Sequence, residues 1–363
     1  MQLRFALILA LWVAVSPASA MDSPLDRISL PPGFHIELWA KLSNPRAMVL
    51  GGDHLVYVGS MRAGQVNAVR YDENYRATGS YRIADGLNMP AGLAYRDGSL
   101  YVSAVSRILR FNAIDQQPDH PPAPTVVTDQ LPKEGHHGAR YLAFGPDGKL
   151  YVPIGAPCNI CVPEDGYAVI LRMNPDGSGS EVFARGVRNP VGLAWRPGHD
   201  ELWFTDNGRD ELGDDIPPDE LNRAPKPGLH FGYPYCHGGD LPDPEYGSPG
   251  ICARYTPPAR KLGAHVAALG LRFYTGKQFP KAYQGQIFIA EHGSWNRSKK
   301  SGYRITLARL KGNRVVAYEP FASGWLQGES AWGRPADLLV LPDGSLLVSD
   351  DQAGAIYRIS YRQ

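Results

Sequence analysis

Short apolar runs and polar turns alternate along almost the whole chain, and the alternation repeats. Six times a turn rich in Gly, Asp or Pro leads into a run of aliphatic and aromatic residues: GGDHLVYVG (51–59), RDGSLYVSA (96–104), PDGKLYVPIG (146–155), PGHDELWFTDNG (197–208), YQGQIFIAEHG (283–293) and PDGSLLVSDD (342–351). Each anchor is preceded by another apolar run (RAMVL, AGLAY, RYLAF, VGLAW, LGLRF, ADLLV), and most are followed by a third of alternating character, such as QVNAVRY or AIYRISY. Runs this short, bounded by turn residues, read as strands rather than helices. The anchors recur every ~45 to 60 residues, except across a longer gap, roughly residues 209–262, that reads as an insertion. A unit of three or four strands repeated six times predicts an all-β fold, a six-bladed β-propeller with one long loop insertion between blades 4 and 5. One blade leaves both faces of its sheet bare, whereas six packed radially cover every face. The early run Phe34–Ala40 is expected to pair as the outer strand of the last blade and so close the ring. A β-sandwich array is the competing architecture.

In an antiparallel pair the start of one strand and the end of the next share one end of the sheet. The segment GVRNPVGLAWRPGHDELWFTDNGRDELGDD (186–215) therefore brings Arg188 and Asn189 beside the loop Asp206–Asp210. Applied to all six units, the same rule gathers two sets of loops at one mouth of the channel. The entering loops carry Asn44-Pro45-Arg46, Asn88-Met89-Pro90, His136–Arg140, Arg188-Asn189, His265 and Arg334-Pro335. The leaving loops carry Arg62, Asp206–Asp210, Glu291–Arg297 and Asp350-Asp351. Cations and hydrogen-bonding side chains dominate the entering set, which fits a small, multiply anionic molecule.

Composition sharpens this picture at three points. A formal net charge of +1 gives no sign of a nucleic-acid or anionic-membrane partner. Arg4, the apolar stretch Phe5–Val15 and Ala18-Ser19-Ala20 have the order of a cleavable signal peptide over residues 1–20, which leaves 21–363 as one propeller domain, periplasmic or secreted. No other stretch approaches the ~20 apolar residues of a membrane span. Four cysteines in an exported chain read as disulfides, and the pairs Cys158–Cys161 and Cys236–Cys252 would each staple a loop, although spacing alone leaves the connectivity open. Val162 follows the CxxC, which excludes covalent haem attachment, and no second CxxC completes a zinc site.

Taken together and in order, HHGARYLAFGPDGKLYV, RNPVGLAW followed by DNGRDELGDD and DELN, GAHVAALGLRFYTG, FIAEHGSWNRSKKSGYRI and GRPADLLVLPDGSLLVSDDQAGAIYRI resemble the pyrroloquinoline-quinone (PQQ)-dependent glucose/sorbosone dehydrogenase family. GAPCNIC and GYPYCHGG bring the likeness nearest the sorbosone-dehydrogenase-like branch. The resemblance implies PQQ held flat over the channel and clamped to Ca²⁺. Arg188 and Asn189 match the family's pair beside the quinone and its carboxylates; a structural ion pair and a turn-forming Asn-Pro are the plain alternatives. His136, four residues before Arg140, falls where the family places its general base, and a one-residue slip would give the role to His137. Gly135 stands where some relatives carry an acid next to that base. Gly208 and Arg209 match the positions whose backbone carbonyls hold calcium, with Arg209 where relatives often have Pro. Asp206, Asp210, Asp214 and Asp215 either share that task or solvate the loop. His265 matches a cofactor-contacting position, and Arg334 matches one member of a carboxylate-gripping arginine pair whose second member is Ala336 here. Arg297 or Lys299 stands in for a cofactor-contacting lysine, and Trp295 is either a wall over the quinone or ordinary packing. Asn296-Arg297-Ser298 also fits a glycosylation sequon.

The reading is a PQQ-dependent dehydrogenase that oxidises an aldose or a sorbosone-like aldehyde sugar, with electrons leaving to a separate external acceptor. One exposed sheet edge per blade is compatible with a homodimer. A calcium-dependent lactonase or hydrolase propeller and a non-catalytic binding platform are the rivals, since fold alone proves no function.

Overall fold

Each of the six anchors forms the second strand of a four-stranded antiparallel blade in the computed structural model, which describes residues 24–362. The signal-peptide expectation for residues 1–20 lies outside the described residues. Blade 1 comprises Pro45–Leu50, Leu55–Ser60, Val66–Tyr71 and Ala77–Ala84. Blade 2 comprises Leu93–Arg96, Ser99–Ala104, Arg107–Phe111 and Thr125–Thr128. Blade 3 follows with Ala143–Phe144, Leu150–Ile154, Val169–Met173 and Glu181–Arg185, and blade 4 with Pro190–Trp195, Leu202–Asp206, Pro218–Ala224 and Arg260–Ala264. Blade 5 holds Ala268–Phe273, Ile287–Glu291, Arg304–Lys311 and Arg314–Ser323. Blade 6 takes Pro335–Val340, Leu346–Asp350 and Ala355–Tyr361 from the end of the chain and Phe34–Lys41 from its beginning. That last strand pairs from Phe34↔Tyr361 to Lys41↔Ala355, closing the ring as the sequence implies.

The anchor strands are apolar on both faces because both faces are buried. Outer strands such as Ala77–Ala84 are mostly exposed and correspondingly polar. The core is accordingly split into six main clusters, one at each blade interface. At the closing seam, Phe34 meets Phe279, Phe321 and Tyr361 edge-on at centroid distances of 4.8, 5.0 and 5.0 Å. An aromatic ring buried there contributes about 2–3 kcal/mol to holding the first strand on the last blade.

Inner strands are stitched across blades by buried hydroxyls. Thr205 Oγ1 accepts from the Gly192 amide and donates to Leu269 O of the next blade at 2.6 Å, and Ser349 makes the same connection from the Asp337 amide to Arg46 O. A Cβ on Gly192 would sit 2.3 Å from Leu269 O, so only glycine permits that approach. Four inner strands also slip register at their first residues, Pro45/Met48, Pro190/Gly192, Ala268/Leu271 and Pro335/Asp337. Bulges there end the ladder and turn side chains into the mouth.

The insertion sits differently from the expectation of a loop between blades 4 and 5. It leaves from inside blade 4, between Pro218–Ala224 and the outer strand Arg260–Ala264. On the way Leu229–His230 adds a parallel strand to blade 3, and a hairpin of Cys236–His237 and Leu241–Pro242 is tied by Cys236–Cys252. Two-residue strands carry too little periodicity to be read from sequence, and the excursion is shaped by side-chain bonds instead.

Candidate active site

All six entering loops and all six leaving loops converge on one rim, because every inner strand begins, and every second strand ends, at the same end of its blade. His136, Arg188, Gly208 and Arg334 therefore share a mouth.

Arg188 is buried and heavily engaged. Its backbone amide and that of Asn189 donate to the two oxygens of Asp206 at 2.9 and 2.6 Å. Its Nε donates to Asn159 O (2.8 Å), Nη2 to Asn159 Oδ1 (2.8 Å) and Asp210 Oδ2 (3.1 Å), and Nη1 to Asn207 O (3.2 Å). Of its five N–H groups, only one on Nη1 is left over. Asn159 lies between Cys158 and Cys161, which form a disulfide, so the CxxC is a frame for the residue that holds Arg188. The sequence reading missed Asn159; its spacing within the CxxC is the one signal that pointed to it. Asp206, fully buried beside Glu220, has its carboxyl pushed well above the usual range by burial first and by that neighbour second.

The two histidines of HHGAR separate cleanly. His137 is held at a left-handed φ of 49° with Nδ1 2.9 Å from Ala156 O, and burial, then Arg188, pushes its pKa down to about 2. A Cβ on Gly155 would lie 2.5 Å from His137 Cβ, so glycine is needed opposite it. His136 is exposed and, among the described residues, its ring makes no hydrogen bond; it leans on the His137 ring at 4.1 Å. Its pKa is lowered by partial burial and then by Arg188, with Asp210 opposing. Arg140 is fully buried and donates to the carbonyls of Val105, Pro132, Glu134 and His137, so it shapes the loop that presents His136.

Asp210 joins the loops from blades 3, 4 and 5. Besides Arg188, it accepts from Asn296 Nδ2 at 2.9 Å and lies 3.9 Å from His265 Nδ1, while its own amide donates to Asn159 Oδ1. His265 has φ 58° and Nε2 2.8 Å from Gly213 O. Gly208 N–H donates to buried Asp219. Arg209 turns away into the insertion, where its Nη1 meets Asp243 at 2.6 Å. Burial opposes the Asp243 charge, yet bonds from His237 and Arg209 hold its pKa down to about 2. Among the described residues the carbonyl oxygens of Gly208 and Arg209 accept no hydrogen bond, and no group of three or more His, Cys, Asp or Glu side chains is arranged to hold a metal. Arg297 is drawn to the 214–215 loop through Asp214 O and Asp215 Oδ1. Trp295 is 73% exposed, which removes ordinary packing as its role.

Across the rim, Asn44, Arg46, Arg62, His292, Arg334 and Asp351 line a pocket of about 280 Å³. Arg334 donates to the carbonyls of His292 and Gly293 and lies over the Tyr303 ring, and its amide is capped by Asp350. His292 Nε2 is 2.7 Å from Asp351, and burial, then Arg46, lowers its pKa to about 4, so it is neutral at physiological pH.

These features define a propeller whose polar mouth combines arginines and histidines with buried carboxylates, and in one pocket sets Arg46, Arg62 and Arg334 around Asp351. Residues 104–358 match the family model "Glucose / Sorbosone dehydrogenase", and the chain belongs to that family. An uncharacterized protein of Borreliella burgdorferi is 35% identical over 99% of this chain and 97% of its own length. The fold is also that of the calcium structure of a Trichoderma reesei carbohydrate-active enzyme of family AA12 (TM-score 0.79, 19% identity, 92% of this chain, 97% of the other). The holo form of the pyranose dehydrogenase PQQ domain from Coprinopsis cinerea is likewise similar (TM-score 0.77, 18% identity, 92% and 97%).

Proposed function

We propose that this chain is an exported PQQ- and Ca²⁺-dependent dehydrogenase of an aldose or sorbosone-like aldehyde sugar, with His136 as general base. The observation that carries the reading is the set of polar groups at the mouth without protein partners among the described residues. They are Arg46 Nε and Asn296 Oδ1, both buried, the Gly208 and Arg209 carbonyls, and the His136 ring. Such groups are costly to bury unless something meets them, and they match a cation beside a planar polyanion. The calcium ion suits the two carbonyls, and the carboxylates of PQQ suit the guanidinium side of the mouth. Bound there, the cofactor pair supplies the two-electron sink that protein side chains lack.

The chain's own residues then have distinct tasks. Arg188, fixed by Asn159 and Asp210, adds a positive charge beside His136, whose pKa is lowered first by partial burial and then by that charge. A neutral, unbonded imidazole at the rim is placed to take the proton from a sugar hydroxyl. His137, tied to Ala156 O and titrating at about 2, positions the loop instead. The two disulfides agree with an oxidising compartment, and no helix among the described residues is long and apolar enough to cross a membrane. Reconstitution with PQQ and Ca²⁺ followed by sugar-dependent dye reduction tests the reading. His136→Ala should abolish turnover and leave cofactor binding intact, whereas a near-wild-type rate removes His136 from its role.

A further inference from the structure

The residues that follow a proline at the entry to four of the inner strands line one pocket at the channel mouth. Ala91, Val191 and Ala336 line it together with Arg46, so among these the lining is small and apolar except at one place. Arg46 is the second residue of blade 1's inner strand, Ala336 the second of blade 6's, and the two strands are neighbours.

Donor engagement distinguishes the arginines of the mouth. Arg188 has four side-chain hydrogen bonds to protein, and Arg334 is held by two carbonyls and the Tyr303 ring. Arg46 has a single ion pair, Nη2 to Asp351 at 2.8 Å, and its Nε is buried without any partner. The side chain is 14% exposed, through the pocket it lines, while its Nε lies out of reach of solvent. In the adjoining pocket three guanidinium groups, Arg46, Arg62 and Arg334, face one carboxylate, Asp351, beside a neutral His292.

Resting on the function proposed above, we infer that Arg46, from the first blade, grips a carboxylate of the anionic cofactor and fills the role left open at Ala336. Asp351 holds Nη2 on the Nε side of the guanidinium, so Arg46 presents its Nη1 side, which has no protein partner among the described residues, to the ligand. Arg188 acts mainly through charge, because four of its five N–H groups already serve the protein, whereas Arg334 is held in place by two carbonyls and keeps Nη1 unbonded among the described residues.

Equilibrium dialysis of the purified chain against PQQ in the presence of Ca²⁺ tests this, with circular dichroism and thermal melting as controls for folding. Arg46→Ala should weaken binding about ten- to a hundredfold, the range for a charge-assisted bond to a buried group. Arg46→Lys, which keeps the charge opposite Asp351 but loses the planar fork, should fall between wild type and Arg46→Ala. Adding Ala336→Arg to Arg46→Ala should restore most of the loss, which a purely structural arginine would not allow. Affinities of both single variants within twofold of wild type, with or without a lowered melting temperature, overturn the inference and leave the proposed function standing. Failure of the wild-type chain to bind PQQ overturns both.

Discussion

Replacing Asn159 with alanine removes the side chain on which two mouth loops meet. Asn159 Oδ1 accepts from Arg188 Nη2 and from the Asp210 amide, both at 2.8 Å, and Nδ2 donates to Asp210 O at 3.3 Å. A bond to a buried guanidinium is worth about 1.5–3 kcal/mol, and an amide stripped of its acceptor adds about 1 kcal/mol. Truncation should therefore cost about 3 kcal/mol, which lowers a urea midpoint by on the order of 1 M. Asn159→Asp, which still accepts from Arg188 and Asp210, should recover part of the loss. Urea denaturation of wild type and both variants, followed by tryptophan fluorescence, reads this directly. An Asn159→Ala midpoint within about 0.2 M of wild type at unchanged slope would refute the claim that Asn159 anchors the site arginine.

The remaining predictions concern titration. His136 is held below its ordinary value, so kcat/KM for dye reduction should fall only on the acid side, with a midpoint below 6.5, and stay flat toward pH 8; a midpoint above 7 contradicts the assignment. His137, near 2, cannot supply a limb in that range. Glu220, buried and bonded to Asn222 and Gly238, has its pKa raised by burial from 4.5 to about 7. The folded state thus holds a proton that the unfolded chain has lost, so this contribution is complete below pH 4.5 and disappears as pH rises through about 7. Glu220→Gln should flatten that decline and gain on the order of 3 kcal/mol at pH 8, measured by urea melts across pH; an unchanged slope contradicts it.

The sequence displays those parts of the molecule that burial makes periodic. Six anchors, the closing strand at Phe34 and the Arg188–Asn189 turn beside Asp206 are all legible, because each is an apolar run with polar residues at its end. The two disulfides lay within reach as pairs of near neighbours, while their connectivity needed coordinates. What was not legible rests on long-range hydrogen bonds that leave no pattern. Asn159 reaches Arg188 and Asp210, Leu229–His230 joins a preceding blade, and Arg297 is claimed by Asp214 and Asp215. Arg46 was visible as a rim residue, yet only coordinates show that it has a single ion pair where Arg334 is held by two carbonyls and a ring.

A crystal structure grown with PQQ and Ca²⁺ tests whether this mouth cradles a planar polyanion over a calcium ion. The expected density is one quinone across the channel mouth, a carboxylate against Arg46, the metal on the Gly208 and Arg209 carbonyls, and His136 facing the open side. A fully soaked crystal whose mouth holds only solvent, or a quinone bound away from these residues, would contradict that placement.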